Sequence, residues 1–538
     1  MLLNNRQLSA SFHAELYRFI PEDHLLRKIN DAVDFSFVVE LVQDTYCRFY
    51  GRPANEPEML FRLLFLQILY TLSDERVIAE TQVNLAYRWF IGVNPEDPLP
   101  DPSQLSRFRN HRLGASNVDE VLLQITRQCV EKGIIKSKTL TVDATHTLAD
   151  VQKKKPLEVL QDAANRLRRT VLKRHPKLAS KLPKPPQYAK DDPEAAKLML
   201  HYLADLGEKV EDFLPDHEGV VTEKLRIAKQ IVEDERFLAN RGVMSAVDPD
   251  ARFGWKSNTK SFFGYKEHLA MTEEEIITAV EVTGGSEDDG KQLPVLLERT
   301  QAGGVEVSKV LGDTAYSGKD NLKMLKEQEI TAYIPLNPIV HNGGPQQADF
   351  TYNKDADFVV CPAGHHSTRK AVQGSKKSGH SRSLVFYFDV EKCMSCPLRE
   401  GCYKPGSKSK TYSIRLIAEL YQEQIRFEGT DEFKLHSRRR PLIEHKNAEL
   451  KRYHGLARAK YRGLSRMRIQ AILTAFVVNA KRMTKLLNEM QPTSSNEGAA
   501  FFLNIFESNS RGAFLQCSPT ERLFFKNRGL FFSYSIVT

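Results

Sequence analysis

Arg438–Gly463 reads RRRPLIEHKNAELKRYHGLARAKYRG, and it packs a helix start, a cationic surface and a central carboxylate into one short stretch. Pro441 suits the first helical position, where its missing N–H costs nothing, and good helix formers follow until Gly455. Glu444 therefore falls in the first helical turns. Steps of four and seven residues stay near one helical face, so Arg440, Glu444 and Lys451 are expected to project in roughly one direction. One acid between two cations reads as a DNA-facing helix with a metal-ligating carboxylate. The plainer alternative is that Glu444 complements the positive helix N-terminus while the arginines form a solvated face.

The rest of the chain bears on that choice. Its 538 residues exceed one ordinary domain, which suggests three or four units, and 41% hydrophobic with 27% charged residues describes a globular protein. The net charge of +9 and pI near 9.0 point to an anionic partner. The surplus is local: from Arg438 to Lys485 the acids are Glu444 and Glu449, far outnumbered by lysine and arginine. Nucleic acid fits this better than a membrane. The apolar run Met59–Leu72 is interrupted by Arg62 and Gln67, and the opening MLLNNRQLSA lacks a signal-peptide core. A cytoplasmic, nucleoid-associated protein is expected. Seven cysteines, an odd number in a long chain, do not describe a secreted disulfide framework.

Residues 1–115 read as a small helical domain, in which Pro57 opens the run EMLFRLLFLQILYTLSDERVIAET. The segment NPEDPLPDPSQLSRFRNHR follows, with Ser103 as the expected N-cap of a short helix carrying Arg107, Arg109, His111 and Arg112. That helix either reads DNA or is a basic helix packed through Leu105 and Phe108. Residues 116–150 hold a helix over Val118–Lys132 and a short strand, Thr139–Val142, that delivers Asp143 at its C-terminal end; 151–244 read as a charged helical insertion.

In 245–341, FFGYKEHLAM and EIITAVEVTGG alternate as strands and are expected to extend the Asp143 sheet. VSKVLGDTAYSGKDNLKMLKEQEI then reads strand, Gly312, Asp313, loop and helix, so Asp313 repeats the placement of Asp143. GDTAYSGK is not a phosphate-binding loop, because it has one residue too many between its glycines and Asp320 after the lysine. Residues 342–430 are loop-rich and carry Cys361, Cys393, Cys396 and Cys402. The two-residue gap between Cys393 and Cys396 lets both thiolates reach one tetrahedral Zn²⁺, with Cys361 and Cys402, or His365 or His366, completing it; reduced packing cysteines are the alternative. Residues 431–487 hold the opening stretch and a long amphipathic helix, Leu464–Leu487, expected to close the core. The tail, 488–538, has no assigned role.

Taken together, VDATHT, VLGDTAY and RRRPLIEHKNAELKRYHGLARAKYRGL resemble the Asp-Asp-Glu (DDE) transposases of bacterial insertion sequences, over most of residues 1–485. The resemblance implies an α/β, ribonuclease-H-like mixed sheet flanked by helices, with an N-terminal helical DNA-binding domain. It also implies that Asp143, Asp313 and Glu444 are the catalytic triad. Arg440 and Lys451 match the family's arginine and lysine around the glutamate, while Ser437 stands where the wider pattern has tyrosine. Relatives that form hairpins carry a tryptophan between the second Asp and the Glu; Trp89 and Trp255 both lie outside that interval, leaving Tyr387, Tyr403 or Tyr412 to stack a flipped base.

The chemistry agrees with the residue types. Carboxylates are hard ligands suited to Mg²⁺ or Mn²⁺, and three of them can hold two ions on one scissile phosphate. Arg440, Lys451, Arg452 and Arg462 are expected on the DNA backbone, and Arg107 and Arg109 at the base edges of terminal inverted repeats. A homodimer on double-stranded DNA is expected, pairing two ends before joining them to target DNA. A structure-specific metal-dependent nuclease and a catalytically lapsed DNA-binding protein are the alternatives.

Overall fold

The computed structural model describes residues 12–47, 53–152, 154–189, 192–215, 219–234, 237, 244–257, 259–337, 350–353, 358–373, 383–415 and 419–490. Met1–Leu487 form one compact unit; in the second, Asn488–Thr538, the tail from residue 491 lies outside the described residues.

The N-terminal part is helical as expected: α1 (Leu25–Ala32), α2 (Phe37–Val42), α3 (Pro57–Leu69), α4 (Asp74–Val83), α5 (Leu85–Phe90) and α6 (Pro102–Arg107). The apolar run from Pro57 is divided because Thr71 takes φ +55° and Ser73 caps α4 through Arg76 N. Asp101, rather than Ser103, caps α6, accepting from Ser103 N at 2.8 Å, and Phe108–Leu113 continues as a π-helix into α7 (Gly114–Glu131).

The sheet starts with β1 (Thr139–Leu148). A helical insertion follows, α8 (Pro156–Arg174), α9 (Ala195–Phe213) and α10 (Val220–Val232), packed on its own core of Leu167, Leu203 and Ile231 among others. Next come β2 (Arg252–Ser257), β3 (Lys260–Thr272), β4 (Ile277–Gly284), α11 (Leu293–Ala302), β5 (Lys309–Leu311), α12 (Lys319–Glu327) and β6 (Thr331–Tyr333). The sheet runs β2-β3-β1-β5-β6, with β4 also on β3; β1, β5 and β6 are parallel, and β3 is antiparallel to β1, β2 and β4. The expectation that the β3–β4 pair extends the Asp143 sheet is met, and β2 is an addition to it.

One expected strand end moves. β1 continues past Val142 to Leu148 because β3 pairs with it along Leu140–Leu148, so Asp143 lies within the strand. Pairing with β5 stops at Thr141, and from there this edge of β1 is free of β5.

Between β6 and the last helices lie β7 (Thr351–Asn353), β8 (Phe358–Val360), β9 (Arg369–Gln373), β10 (Ser383–Phe388), α13 (Val390–Met394) and β11 (Lys410–Arg415). They form a β7–β8 hairpin and a β11-β10-β9 sheet. Then come α14 (Glu419–Glu428), α15 (Asp431–Ser437), α16 (Pro441–Tyr453) and α17 (Leu464–Met490).

Helix α17 closes the main core, as expected. Phe476 meets the rings of Phe35, Phe61 and Phe65 at 5.9, 5.3 and 6.1 Å, and buried Asn479 bonds both backbone groups of Ile277 at 2.8 and 2.7 Å. The N-terminal helices, one face of β3–β4 and α16–α17 share this core. The boundary expected near residue 115 therefore coincides with no break in packing. Leu140 and Val142 face the opposite core with α11 and α12, so by strand alternation Asp143 faces α16.

Candidate active site

Asp143 and Asp313 owe their proximity to register. Thr141 pairs with Leu311 in the parallel β1–β5 ladder, so each aspartate stands two residues beyond the same rung. Gly312 permits the approach: a Cβ there would meet Val142 and Tyr316 side chains at 3.2 Å, tighter than ordinary contact. Asp313 caps the turn Thr314–Tyr316 by accepting from Ala315 N at 2.9 Å. Asn321 pins that turn, donating to Tyr316 O at 3.1 Å and Gly290 O at 2.8 Å.

Glu444 arrives from α16, which begins at Pro441 as the sequence predicted, lies against β1 and buries Ile443 and Leu450 in the main core. Its carboxylate is 56% exposed and pairs with Arg440 at 3.3 Å, one helical turn away. Lys451, further along α16, sets its ammonium 3.2 Å from His146 Nδ1 on β1 rather than out in solvent.

Asp143 feels the charges of the other two acids. Burial pushes the Asp143 carboxyl up to about 6, the charge of Asp313 adds to the rise, Arg440 opposes it and Glu444 adds again. Among the described residues, no three His, Cys, Asp or Glu side chains are gathered closely enough to hold a metal ion.

Three residues that the sequence reading did not single out belong to this neighbourhood. Asn447, three residues after Glu444 and buried, donates to Asp143 Oδ2 at 2.9 Å. Its signal was available: i and i+3 share a helix face. Glu267 pairs across the ladder with Thr145, on the face that carries Asp143; it is fully buried, and burial pushes its carboxyl up to about 8. His146 receives Lys451. Nothing in the alternation of FFGYKEHLAM marked its glutamate as an inward acid, because a strand exposes or buries a charge by tertiary context.

The expected DNA-contacting cations divide. Arg452 and Arg462 are exposed, Arg462 near Asp150 at 3.7 Å, and Arg107 is exposed on α6. Arg109 is corrected: it is 5% exposed, bonds Asp74 at 2.9 and 3.1 Å and lies under the Tyr461 ring at 4.6 Å. The π-helix turns it inward, so it cannot reach base edges. Of the tyrosines considered for base stacking, Tyr412 already stacks on Phe350 at 4.7 Å, Tyr387 lies under Arg369 at 4.1 Å and Tyr403 is buried.

Cys361, Cys393, Cys396 and Cys402 line one cavity together with His365, whereas His366 packs its ring on Phe358 at 4.7 Å. Among the described residues, no helix is long and apolar enough to cross a membrane.

Comparison with known families gives two matches. A transposase domain model (DUF772) matches residues 14–111, which include Arg107 and Arg109, and a transposase DDE domain model matches residues 360–484, which include the four cysteines and Glu444. No curated protein matches the chain.

Proposed function

We propose, from the two domain matches that together support a DDE transposase of an insertion sequence, that this chain cuts and joins DNA strands at terminal inverted repeats with Asp143, Asp313 and Glu444 as its catalytic carboxylates. The observation that carries the reading is the shared rung: two aspartates leave neighbouring parallel strands at the same height, and the Asp143 carboxyl is raised by burial and then by the charge of its partner. The strand order, with antiparallel β3 and β4 on one side of β1 and parallel β5 and β6 on the other, supports the ribonuclease-H-like reading.

The donor set suits a divalent cation. Two aspartate carboxylates leaving neighbouring strands beyond the same rung are hard oxygen ligands, and a cation between them would offset their mutual repulsion. Asp143 and Asp313 would hold Mg²⁺ or Mn²⁺ with Glu444, and such ions, two in the fullest form of this chemistry, supply an activated water or 3′-hydroxyl and a stabilised leaving oxygen. The chain's own contributions follow from its contacts. Asn447 holds the Asp143 carboxylate through its 2.9 Å bond to Oδ2. Arg440 pairs with Glu444, and its charge opposes the rise of the Asp143 carboxyl. Arg452 and Arg462 offer backbone contacts that fix register without reading sequence, and Arg107 is a candidate for the repeats themselves. Pairing two ends as a homodimer is part of the same proposal.

Strand-cleavage assays with Mg²⁺ on DNA carrying the element's ends test it. Asp143→Asn, Asp313→Asn and Glu444→Gln should each abolish cutting while DNA binding persists. A folded variant that cut at the parental rate would remove that residue from the triad.

A further inference from the structure

The region between Asp313 and Glu444 has more architecture than its apolar core explains. Its buried hydrophobic cluster is Phe350, Val359, Phe386 and Phe388, with Cys361, Cys393 and Cys402 half-buried against it. Four such side chains bury little apolar surface. Fixing the backbone carries an entropic cost for every ordered residue, and a hairpin, a three-stranded sheet and a short helix order several dozen of them. Cores of this size are held by disulfides, metals or a neighbouring body. Here the described cysteines are all free thiols.

The four thiols share one cavity of about 570 Å³. Cys361 follows β8 directly, and its loop folds back on itself: Cys361 N donates to His365 O at 2.9 Å, Gly364 N donates to Cys361 O at 2.8 Å, and Gly364 takes φ +81°. That turn aims His365 N at Cys361 Sγ, 3.3 Å away. On the other wall, Leu398 N donates to Cys396 Sγ at 3.4 Å. Backbone N–H groups directed at sulfur favour the thiolate, the form that binds metal. A merely packed cysteine has no use for them.

We propose that Cys361, Cys393, Cys396 and Cys402 bind one structural Zn²⁺, which staples the β7–β8 hairpin to the β9–β11 sheet and α13. Soft thiolates in a set of four select Zn²⁺ over the hard cations that suit the carboxylates. Binding releases four thiol protons to solvent as four Zn–S bonds form, with no change of oxidation state. The described side chains are not yet at metal-binding spacing, so the ion closes the cavity as it binds. The site stands independently of the catalytic reading.

The full chain, purified without chelator, should carry about one zinc per chain by elemental analysis. A mercurial reagent titrated against a zinc-sensitive dye should release that zinc as about four thiols are consumed. Replacement by Co²⁺ should give an intense near-ultraviolet thiolate-to-cobalt band in the wild-type chain, which decides the matter even where a variant fails to fold. Cys396→Ser should lose most of the metal, and Cys47→Ser, at an exposed position, should keep it. Three results would overturn the assignment: a folded chain free of zinc, iron in its place, or zinc that survives Cys396→Ser and disappears in His365→Ala.

Discussion

Two stretches of this chain look alike in sequence and are used in opposite ways. Arg107–Arg112 and Arg438–Arg462 are both arginine-rich, both near a proline that opens a helix, and each admits a DNA-facing reading beside a plainer one. In the first, Arg109 is driven inward onto Asp74 and under Tyr461, and the Arg112 guanidinium covers the Tyr46 ring at 4.2 Å. In the second, Arg462 is 50% exposed, Arg452 is exposed and a half-buried Arg440 stands beside the exposed Glu444. The difference lies in winding and neighbours. The π-helical turn over Phe108–Leu113 shifts the phase of its residues, whereas α16 keeps regular helical phase, turning Lys446 inward and leaving Arg452 exposed. Charge composition therefore identifies a basic segment but not which way it faces.

The largest effect expected from this contrast is on stability. Arg109→Ala leaves Asp74 half-buried without its guanidinium, a loss of about 3–5 kcal/mol in urea unfolding, while Arg107→Ala on the exposed side should stay within about 0.5 kcal/mol. The pH dependence has a defined sign. Burial pushes Asp74 up, but Arg109 outweighs it and holds the carboxyl below its usual range. That stabilisation is present above the unfolded value, about 3.9, and is lost as pH falls through the depressed folded value. The gap between wild type and Arg109→Ala should close in acid. Equal small losses for both arginines would erase the inward–outward distinction.

A smaller effect should appear on the outward stretch. Replacing Arg452 and Arg462 by Ala removes up to two phosphate contacts, so the slope of log affinity against log salt should flatten by up to about 1.8, similarly on cognate and unrelated duplexes. Unfolding free energy should barely change. An unaltered slope would make these arginines a solvated face, the plainer alternative for this segment.

Much of this arrangement was legible before any coordinates. Pro441 set the start of α16, the alternation of FFGYKEHLAM and EIITAVEVTGG set β3 and β4, and the apolar spacing of Leu464–Leu487 set the central helix, because each is a local pattern whose period the fold only has to accept. What escaped depends on distant partners. The extension of β1 past Asp143 comes from pairing with β3, more than a hundred residues on. Asn447 acquires its role only when α16 lies against β1, and the burial of Glu267 and Arg109 follows from what covers them. The cysteines were visible as a set through the Cys393–Cys396 gap, but their shared cavity and the amides aimed at two of their sulfurs were not.

The central claim is that Asp143 and Asp313 act as one cation site, and Mn²⁺ binding read by electron paramagnetic resonance tests it without reference to cleavage. Titrating the free-ion signal of Mn²⁺ with wild-type chain and with Asp143→Asn, Asp313→Asn and Asn447→Ala separates ligands from a positioning residue. Each aspartate variant should weaken binding about tenfold or more, and Asn447→Ala should weaken it by a lesser factor. Wild-type Mn²⁺ affinity retained in a folded Asp313→Asn chain would contradict the claim, for the two aspartates would then share a rung of the sheet but not an ion.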